Sequence, residues 1–165
     1  MGKKKETKTN ALRKLEQQKI HYTEHHYEWT EAHLGADAVT DELTDKNPAQ
    51  IFKTLVAVGN VTGVIVAVIP SDRILDLKKI AKASGNKKVE MLSLHDLEAT
   101  TGYIRGGCSP VGMKKLFPTY LDETAETFDT VIVSAGRRGL QMELAPADLV
   151  KISKAKVVNI ANKKS

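Results

Sequence analysis

Three short stretches of the sequence carry residue types that can bind an anion or polarise a carbonyl group. They are T-G-Y-I-R-G-G-C-S-P-V-G at 101–112, F-K-T-L at 52–55 and V-S-A-G-R-R-G-L at 133–140. Nowhere does the sequence contain H-E-x-x-H, C-x-x-C or a phosphate-loop signature. We therefore expect chemistry based on backbone amides and cations, with no metal and no cofactor.

The glycine-rich stretch 101–112 contains Gly102, Gly106, Gly107 and Gly112 together with Pro110. Glycine lets a ligand approach the main chain closely. Consecutive exposed N–H groups can then hold an anion or a polarised carbonyl oxygen. The plainer interpretation is a simple loop between a helix and a strand, and the pattern alone leaves both open.

Cys108 is the only cysteine of the chain. A catalytic thiolate needs a base and a group that orients the base, and no histidine lies in a local motif with Cys108. Free cysteine is more often a small buried apolar residue. Adjacent histidines at His25 and His26 point to opposite faces of a strand, so they do not share a metal easily.

Lys53 shares one face of an apolar strand with Ile51 and Leu55, because strand residues alternate between faces with a period of two. Such a lysine either protects the edge of a sheet from aggregation or points its ammonium group into a pocket. Arg137 and Arg138 lie in a turn between two β segments, as solvated residues or as a phosphate clamp. Tyr27 is a core or pocket-wall candidate.

The composition describes one globular domain of 165 residues with a net charge of +5. Lysine and arginine pairs inside the chain suit a polyanion such as RNA. A single cysteine excludes an intrachain disulfide and fits a reducing, cytoplasmic location. The longest apolar run, 61–69, is about half of the roughly 20 residues that a membrane span requires.

The hydrophobic patterns predict an α+β domain over residues 1–165, with basic tails at about 1–8 and 162–165. Helices are expected at these ranges: 8–19, 35–44, 72–84 with Ser71 as cap, 94–100 and 146–154. Strands are expected at these ranges: 20–29, 51–59, 61–69, 87–92, 119–121, 129–134, 140–144 and 156–160. Hairpins among them imply a mixed, curved or barrel-like sheet flanked by helices.

The sequence closely resembles the YbaK/EbsC family in four motifs that occur in the same order. They are F-K-T-L, K-K-V-E-M at 87–91, the 101–112 stretch and V-S-A-G-R-R-G-L. These proteins are free-standing aminoacyl-tRNA editing domains, also called Cys-tRNA(Pro) deacylases. The resemblance extends from about residue 10 to about residue 161. It implies the mixed α/β editing-domain fold of the insertion domain in bacterial prolyl-tRNA synthetases.

The resemblance also assigns roles to individual residues. It makes Lys53, Gly106 and Gly107 catalytic. The substrate-binding residues that it implies are Tyr27, Leu34, Thr54, Ser109, Pro110, Ser134, Arg137 and Arg138, with Trp29 as the alternative to Leu34. Family members tolerate Ile at position 108, which argues against a Cys108 nucleophile. Some carry Asp where this chain has Gln141, so the role of that Asp does not transfer.

The implied reaction is hydrolysis of cysteine wrongly attached to proline tRNA, an error that arises because cysteine and proline are similar in size. The substrate's own thiol would attack its ester, while the Gly106 backbone holds the carbonyl oxygen and Lys53 anchors the terminal adenosine. The implied partners are the aminoacylated proline tRNA and prolyl-tRNA synthetase. Two alternatives stay open: an Ala-tRNA(Pro) deacylase and a non-catalytic module that binds tRNA or the synthetase.

Overall fold

The computed structural model describes residues 8–32 and 46–164. The helix expected at 35–44 and Leu34 lie outside these ranges. None of the described helices is long and apolar enough to cross a membrane. The α-helices formed by the described residues are α1 Asn10–Gln17, α2 Leu77–Ser84, α3 Leu94–Thr101 and α4 Pro146–Ser153.

The described strands form three sheets. The strands are β1 Thr23–His26, β2 Phe52–Gly59, β3 Gly63–Pro70, β4 Arg73–Leu75, β5 Val89–Met91, β6 Thr119–Asp122, β7 Val131–Arg137, β8 Leu140–Leu144, β9 Lys156–Val158 and β10 Ala161–Lys163. One sheet has the order β5-β2-β3-β6-β9, a second has the order β1-β8-β7, and β10 pairs with β4. The largest sheet is mixed, because β2 and β3 are antiparallel while β3, β6 and β9 run parallel. The α+β class and the mixed sheet are confirmed.

Local sequence signals explain most of these elements. Thr9 caps α1 by accepting a hydrogen bond from the Leu12 N–H, and Ser93 caps α3 in the same way. The apolar face of α1 is buried in the main core, which also contains the inward-facing residues of β7 and β8. Packing of this kind, rather than helix propensity, stabilises such short helices.

The prediction of one helix over 72–84, capped by Ser71, is wrong. Residues 73–75 form the strand β4, and α2 begins only at Leu77. Asp76 caps α2, because its Oδ1 accepts hydrogen bonds from the N–H groups of Lys78 and Lys79. The strand was missed because its partner β10 lies more than 80 residues further along the chain.

A buried carboxylate fastens the C-terminal segment to the rest of the fold. Asp122 is 1% exposed, and its Oδ1 accepts hydrogen bonds from the N–H groups of Ile160 and Ala161, both at 3.0 Å. These bonds fix the backbone between the end of β9 and the start of β10. The strand expected at 156–160 therefore ends at Val158, and a further short strand follows it.

We predict that Asp122→Ala lowers the free energy of unfolding by about 3 kcal/mol, because two buried N–H groups lose their acceptor at about 1–3 kcal/mol each. Urea unfolding followed by circular dichroism measures the change. Glu123→Ala, next in sequence but exposed, is the control and should shift stability by less than about 0.5 kcal/mol. Equal stabilities of the two variants would show that the carboxylate does not hold this segment.

Candidate active site

A cavity of about 410 Å³ opens where the two larger sheets separate. The strands β2 and β7 belong to different sheets and touch through one parallel bridge, between Ile51 and Ile132. Two residues beyond this bridge on each side lie Lys53 and Ser134, and both line the cavity. β3 occupies one edge of β2 along its whole length, and on the remaining edge β2 pairs with β5 only from Ala57 onwards. The first half of β2 is thus left to form the cavity wall.

Lys53 lies in this wall and is half-buried. Its Nζ donates a hydrogen bond to the Ser71 carbonyl oxygen at 3.3 Å, which fixes the ammonium group beside the cavity. This position differs from that of a solvated lysine at a sheet edge. Of the two interpretations that the sequence left open, the geometry agrees with a cation placed in a pocket.

Two hydroxyl groups line the same wall. The Thr54 Oγ1 is buried and has no hydrogen-bond partner within the described part of the chain. An unsatisfied buried hydroxyl costs about 1–3 kcal/mol. The Ser134 Oγ accepts a hydrogen bond from the Gly136 N–H at 3.2 Å, which leaves its proton available for a ligand.

The glycine-rich loop closes the cavity from the opposite side through Gly106. Gly106 has a φ of +85°, a conformation that favours glycine, and its carbonyl oxygen accepts a hydrogen bond from the Tyr27 hydroxyl at 3.4 Å. The Gly106 N–H has no partner among the described residues, whereas the Gly107 N–H donates to the Ile104 carbonyl at 2.9 Å. The turn itself therefore uses the Gly107 N–H.

Gly107 instead permits a close contact between two loops. A Cβ atom on Gly107 would lie 3.0 Å from the Arg138 backbone nitrogen and 3.1 Å from the Arg137 carbonyl carbon. Backbone atoms cannot move aside as the end of a flexible side chain can. The close packing against the 137–138 backbone thus favours glycine at this position.

The Arg138 side chain fastens the glycine-rich loop. Its Nε donates to the Arg105 carbonyl oxygen at 2.8 Å, and its Nη1 lies 3.2 Å from Glu31 Oε1. The guanidinium carbon is 5.1 Å from the centre of the Trp29 ring, a cation–π distance. Because three groups of the protein already contact this guanidinium, the interpretation of Arg138 as a solvated arginine is wrong.

Ser109 and Pro110 are buried but do not line the cavity. The Ser109 Oγ accepts a hydrogen bond from the Val111 N–H at 3.2 Å, and the Tyr103 hydroxyl donates to the Val111 carbonyl at 2.7 Å. These contacts shape the loop behind Gly106. The expectation that Ser109 and Pro110 contact a substrate is thus not matched by their positions in this structure.

Cys108 lines the cavity, but its thiol is poorly suited to act as a nucleophile. Cys108 is 8% exposed and packs with Val56, Leu97 and Tyr103. Burial raises the pKa of the thiol to about 12, because the charged thiolate loses its hydration. Among the described residues that line the cavity there is no histidine, so a base for the thiol is lacking as well.

Sequence reasoning did not place several other residues at the cavity. Gln141 lies opposite Ser134 in the β7–β8 pairing, is 3% exposed and lines the cavity. The sequence signal that could have placed Gln141 at the cavity is its position directly after R-G-L, where some family members carry Asp. The residues that form the apolar part of the wall include Phe52, Leu55, Val56, Met91, Leu92, Leu94 and Leu97. Arg105, Lys164 and Glu31 provide charges there.

No group of three or more His, Cys, Asp or Glu side chains in residues 8–32 and 46–164 is arranged to hold a metal ion. The cavity thus combines the fixed Lys53 ammonium group and the Gly106 backbone with Thr54, Ser134 and an apolar wall. Such a site can orient a polar ester and stabilise negative charge on its carbonyl oxygen.

Comparison with known proteins agrees with this description. Residues 34–152 match the family model of the aminoacyl-tRNA editing domain. The chain is 58% identical over 164 residues to EbsC of Enterococcus faecalis, which is named as a Cys-tRNA(Pro)/Cys-tRNA(Cys) deacylase, and 99% of both chains is covered.

Two solved structures share the fold. The crystal structure of the hypothetical protein APE2540 has a TM-score of 0.83 at 21% identity, and the match covers 93% of this chain and 100% of that one. A crystal structure described as a trans-editing enzyme for prolyl tRNA synthetase has a TM-score of 0.78 at 23% identity, covering 97% and 100%. At these identities the likeness concerns the fold alone.

We predict that Cys108 resists labelling by Ellman's reagent in the native protein. With a pKa of about 12, a thiol has roughly 10³-fold less thiolate at pH 8 than one with the usual value near 9. The native reaction should therefore be at least ~100-fold slower than that of the urea-unfolded chain, and it should accelerate as the pH rises. Rapid, complete labelling of the folded protein would contradict the burial of this thiol.

Proposed function

The chain belongs to the aminoacyl-tRNA editing domain family, and we propose that it is a trans-editing enzyme that hydrolyses the ester of cysteinyl-tRNA. The near full-length match to EbsC supports a deacylase of this kind. EbsC is named for both Cys-tRNA(Pro) and Cys-tRNA(Cys). The proposed substrate is therefore cysteine on either tRNA, rather than on proline tRNA alone.

One observation carries the proposal: three motifs that are far apart in the sequence meet at one cavity. Lys53 and Thr54 come from β2, Gly106 from the glycine-rich loop, and Ser134 from β7. The volume of about 410 Å³ is of the size that small-molecule sites have. It suits an aminoacyl group and part of a nucleoside, rather than a longer stretch of RNA.

The protein's part in the reaction is to orient the substrate and to stabilise charge. The Gly106 N–H donates to the ester carbonyl oxygen as negative charge develops there. The Lys53 ammonium binds the terminal adenosine through a charge-assisted contact. The hydroxyls of Thr54 and Ser134 supply further hydrogen bonds to the polar part of the substrate.

The nucleophile is the thiol of the bound cysteine. Its sulfur forms a bond to the ester carbonyl carbon, the bond from that carbon to the ribose oxygen breaks, and the thiol proton passes to the leaving oxygen. Water then opens the resulting thiolactone to free cysteine. Because both reacting groups belong to one small molecule, the attack is intramolecular, and no side chain of the enzyme has to attack.

Recognition of the tRNA body is proposed to come from a partner. The sequence contains no evident tRNA-reading motif, and its aromatic content of 5% offers few platforms for stacking bases. A ternary complex with prolyl-tRNA synthetase would supply the selection of proline tRNA.

We predict that the protein hydrolyses Cys-tRNA(Pro) and Cys-tRNA(Cys) and leaves Ser-tRNA on the same tRNA body intact, because serine lacks the thiol. The measurement is the release of radiolabelled amino acid, with and without prolyl-tRNA synthetase. Equal hydrolysis of the cysteinyl and seryl esters would disprove thiol assistance. Preference for Ala-tRNA(Pro) would favour the alanine-specific alternative, and tRNA binding without turnover of any ester would favour a non-catalytic module.

Lys53→Ala should lower the deacylation rate by a factor of at least ~10². The circular dichroism spectrum should stay unchanged. Cys108→Ala, a matched change in the opposite wall of the same cavity, should retain activity within about threefold, because the thiol stays protonated and does not react. Single-turnover deacylation rates test both variants. A loss of several orders of magnitude in Cys108→Ala would restore the nucleophilic cysteine as an explanation.

A further inference from the structure

The C-terminal end of the described chain reaches the cavity, although it lies beyond the residues that match the editing-domain family. That match ends at residue 152, whereas Lys164 lines the cavity together with Lys53 and Ser71. The pairing of β10 with β4 accounts for this position. Lys163 lies opposite Arg73 in this antiparallel pair. Lys164 therefore lies beside the residues between Ser71 and β4.

Side chains with definite partners hold this segment in place. Besides the two bonds to Asp122, Asn162 forms hydrogen bonds through both ends of its amide. Its Oδ1 accepts from Lys79 Nζ at 2.9 Å, and its Nδ2 donates to Asp76 Oδ2 at 2.7 Å. These contacts fix the backbone immediately before Lys164, so its position beside the cavity follows from the fold rather than from a freely moving tail.

The charges around the cavity favour an anionic ligand. Three cations line it, namely Lys53, Arg105 and Lys164, against one carboxylate among the described lining residues, Glu31. That carboxylate is already paired with Arg138 at 3.2 Å. Lys53 is half-buried and Lys164 is exposed, so the cations extend from the cavity wall to its rim.

We propose that Lys164 binds the phosphodiester that joins the terminal nucleoside of the acylated tRNA to the preceding nucleotide. This inference rests on the proposed function, in which the ester and its nucleoside occupy the cavity. The adjoining phosphate must then lie at the rim, where an exposed ammonium group can reach it. The contact is made equally in the ground state and the transition state, so it contributes to KM rather than to kcat.

The test compares Lys164→Ala with Lys163→Ala, which removes the same charge from the neighbouring residue. Lys163 is exposed and does not line the cavity. On cysteinyl-tRNA, Lys164→Ala should raise KM about 3- to 10-fold with little change in kcat. On a cysteinyl ester of adenosine without any phosphate, Lys164→Ala should behave like the wild type. Lys164→Arg should retain the wild-type KM on cysteinyl-tRNA.

The salt dependence gives a second measurement on cysteinyl-tRNA alone. The loss of one phosphate contact on single-stranded RNA should reduce the slope of log KM against log salt concentration by about 0.7 in Lys164→Ala. The slope for Lys163→Ala should equal that of the wild type. Urea unfolding of each variant shows whether the fold is intact.

The outcomes separate this inference from the function on which it rests. If wild-type protein hydrolyses cysteinyl-tRNA and Lys164→Ala matches it in both KM and salt slope, the Lys164 contact is disproved and the function stands. Equal changes in the two lysine variants would also disprove it, because they would reflect net charge alone. If the wild type hydrolyses no cysteinyl ester, the proposed function fails and the phosphate contact fails with it.

Discussion

The site depends on a single place where two sheets meet and then part. The parallel bridge between Ile51 and Ile132 fixes β2 against β7. Because strand residues alternate in direction with a period of two, Lys53 and Ser134 take equivalent places just beyond it. A continued pairing of the two strands would have filled the space between them. Their separation creates a cavity with β2 and β7 in one wall, and strand pairing fixes the positions of Lys53 and Ser134 in that wall.

The glycine-rich loop forms the other half of the site, and packing rather than reactivity explains its composition. Gly107 lets the loop approach the 137–138 backbone, while the Arg138 side chain binds the Arg105 carbonyl and Glu31. These contacts hold Gly106 against the cavity. A backbone N–H held in this way needs no reorganisation when charge develops on a substrate oxygen. The adjacent thiol, by contrast, is kept protonated by burial and serves as part of the wall.

Most elements could be predicted because their signals are local. The caps at Thr9 and Ser93, and the apolar alternation of β2 and β3, depend only on neighbouring residues. The predicted helix over 72–84 failed for the opposite reason. Its first part pairs with a strand at the far end of the chain, and no window of sequence contains both partners. The same separation in sequence explains why the position of Lys164 at the cavity was not predicted, since residues 162–165 were expected to form a basic tail.

The sequence by itself determined the α+β class, which follows from periodicity, and the family, which follows from the resemblance of four short motifs. Only the tertiary structure decided how those motifs act. It showed that the Gly107 amide is used by its own turn, that Arg138 binds the protein rather than solvent, and that Lys164 belongs to the cavity. The reason is physical: hydrogen-bond partners, burial and the meeting of distant strands are properties of the folded chain, and local sequence does not encode them individually.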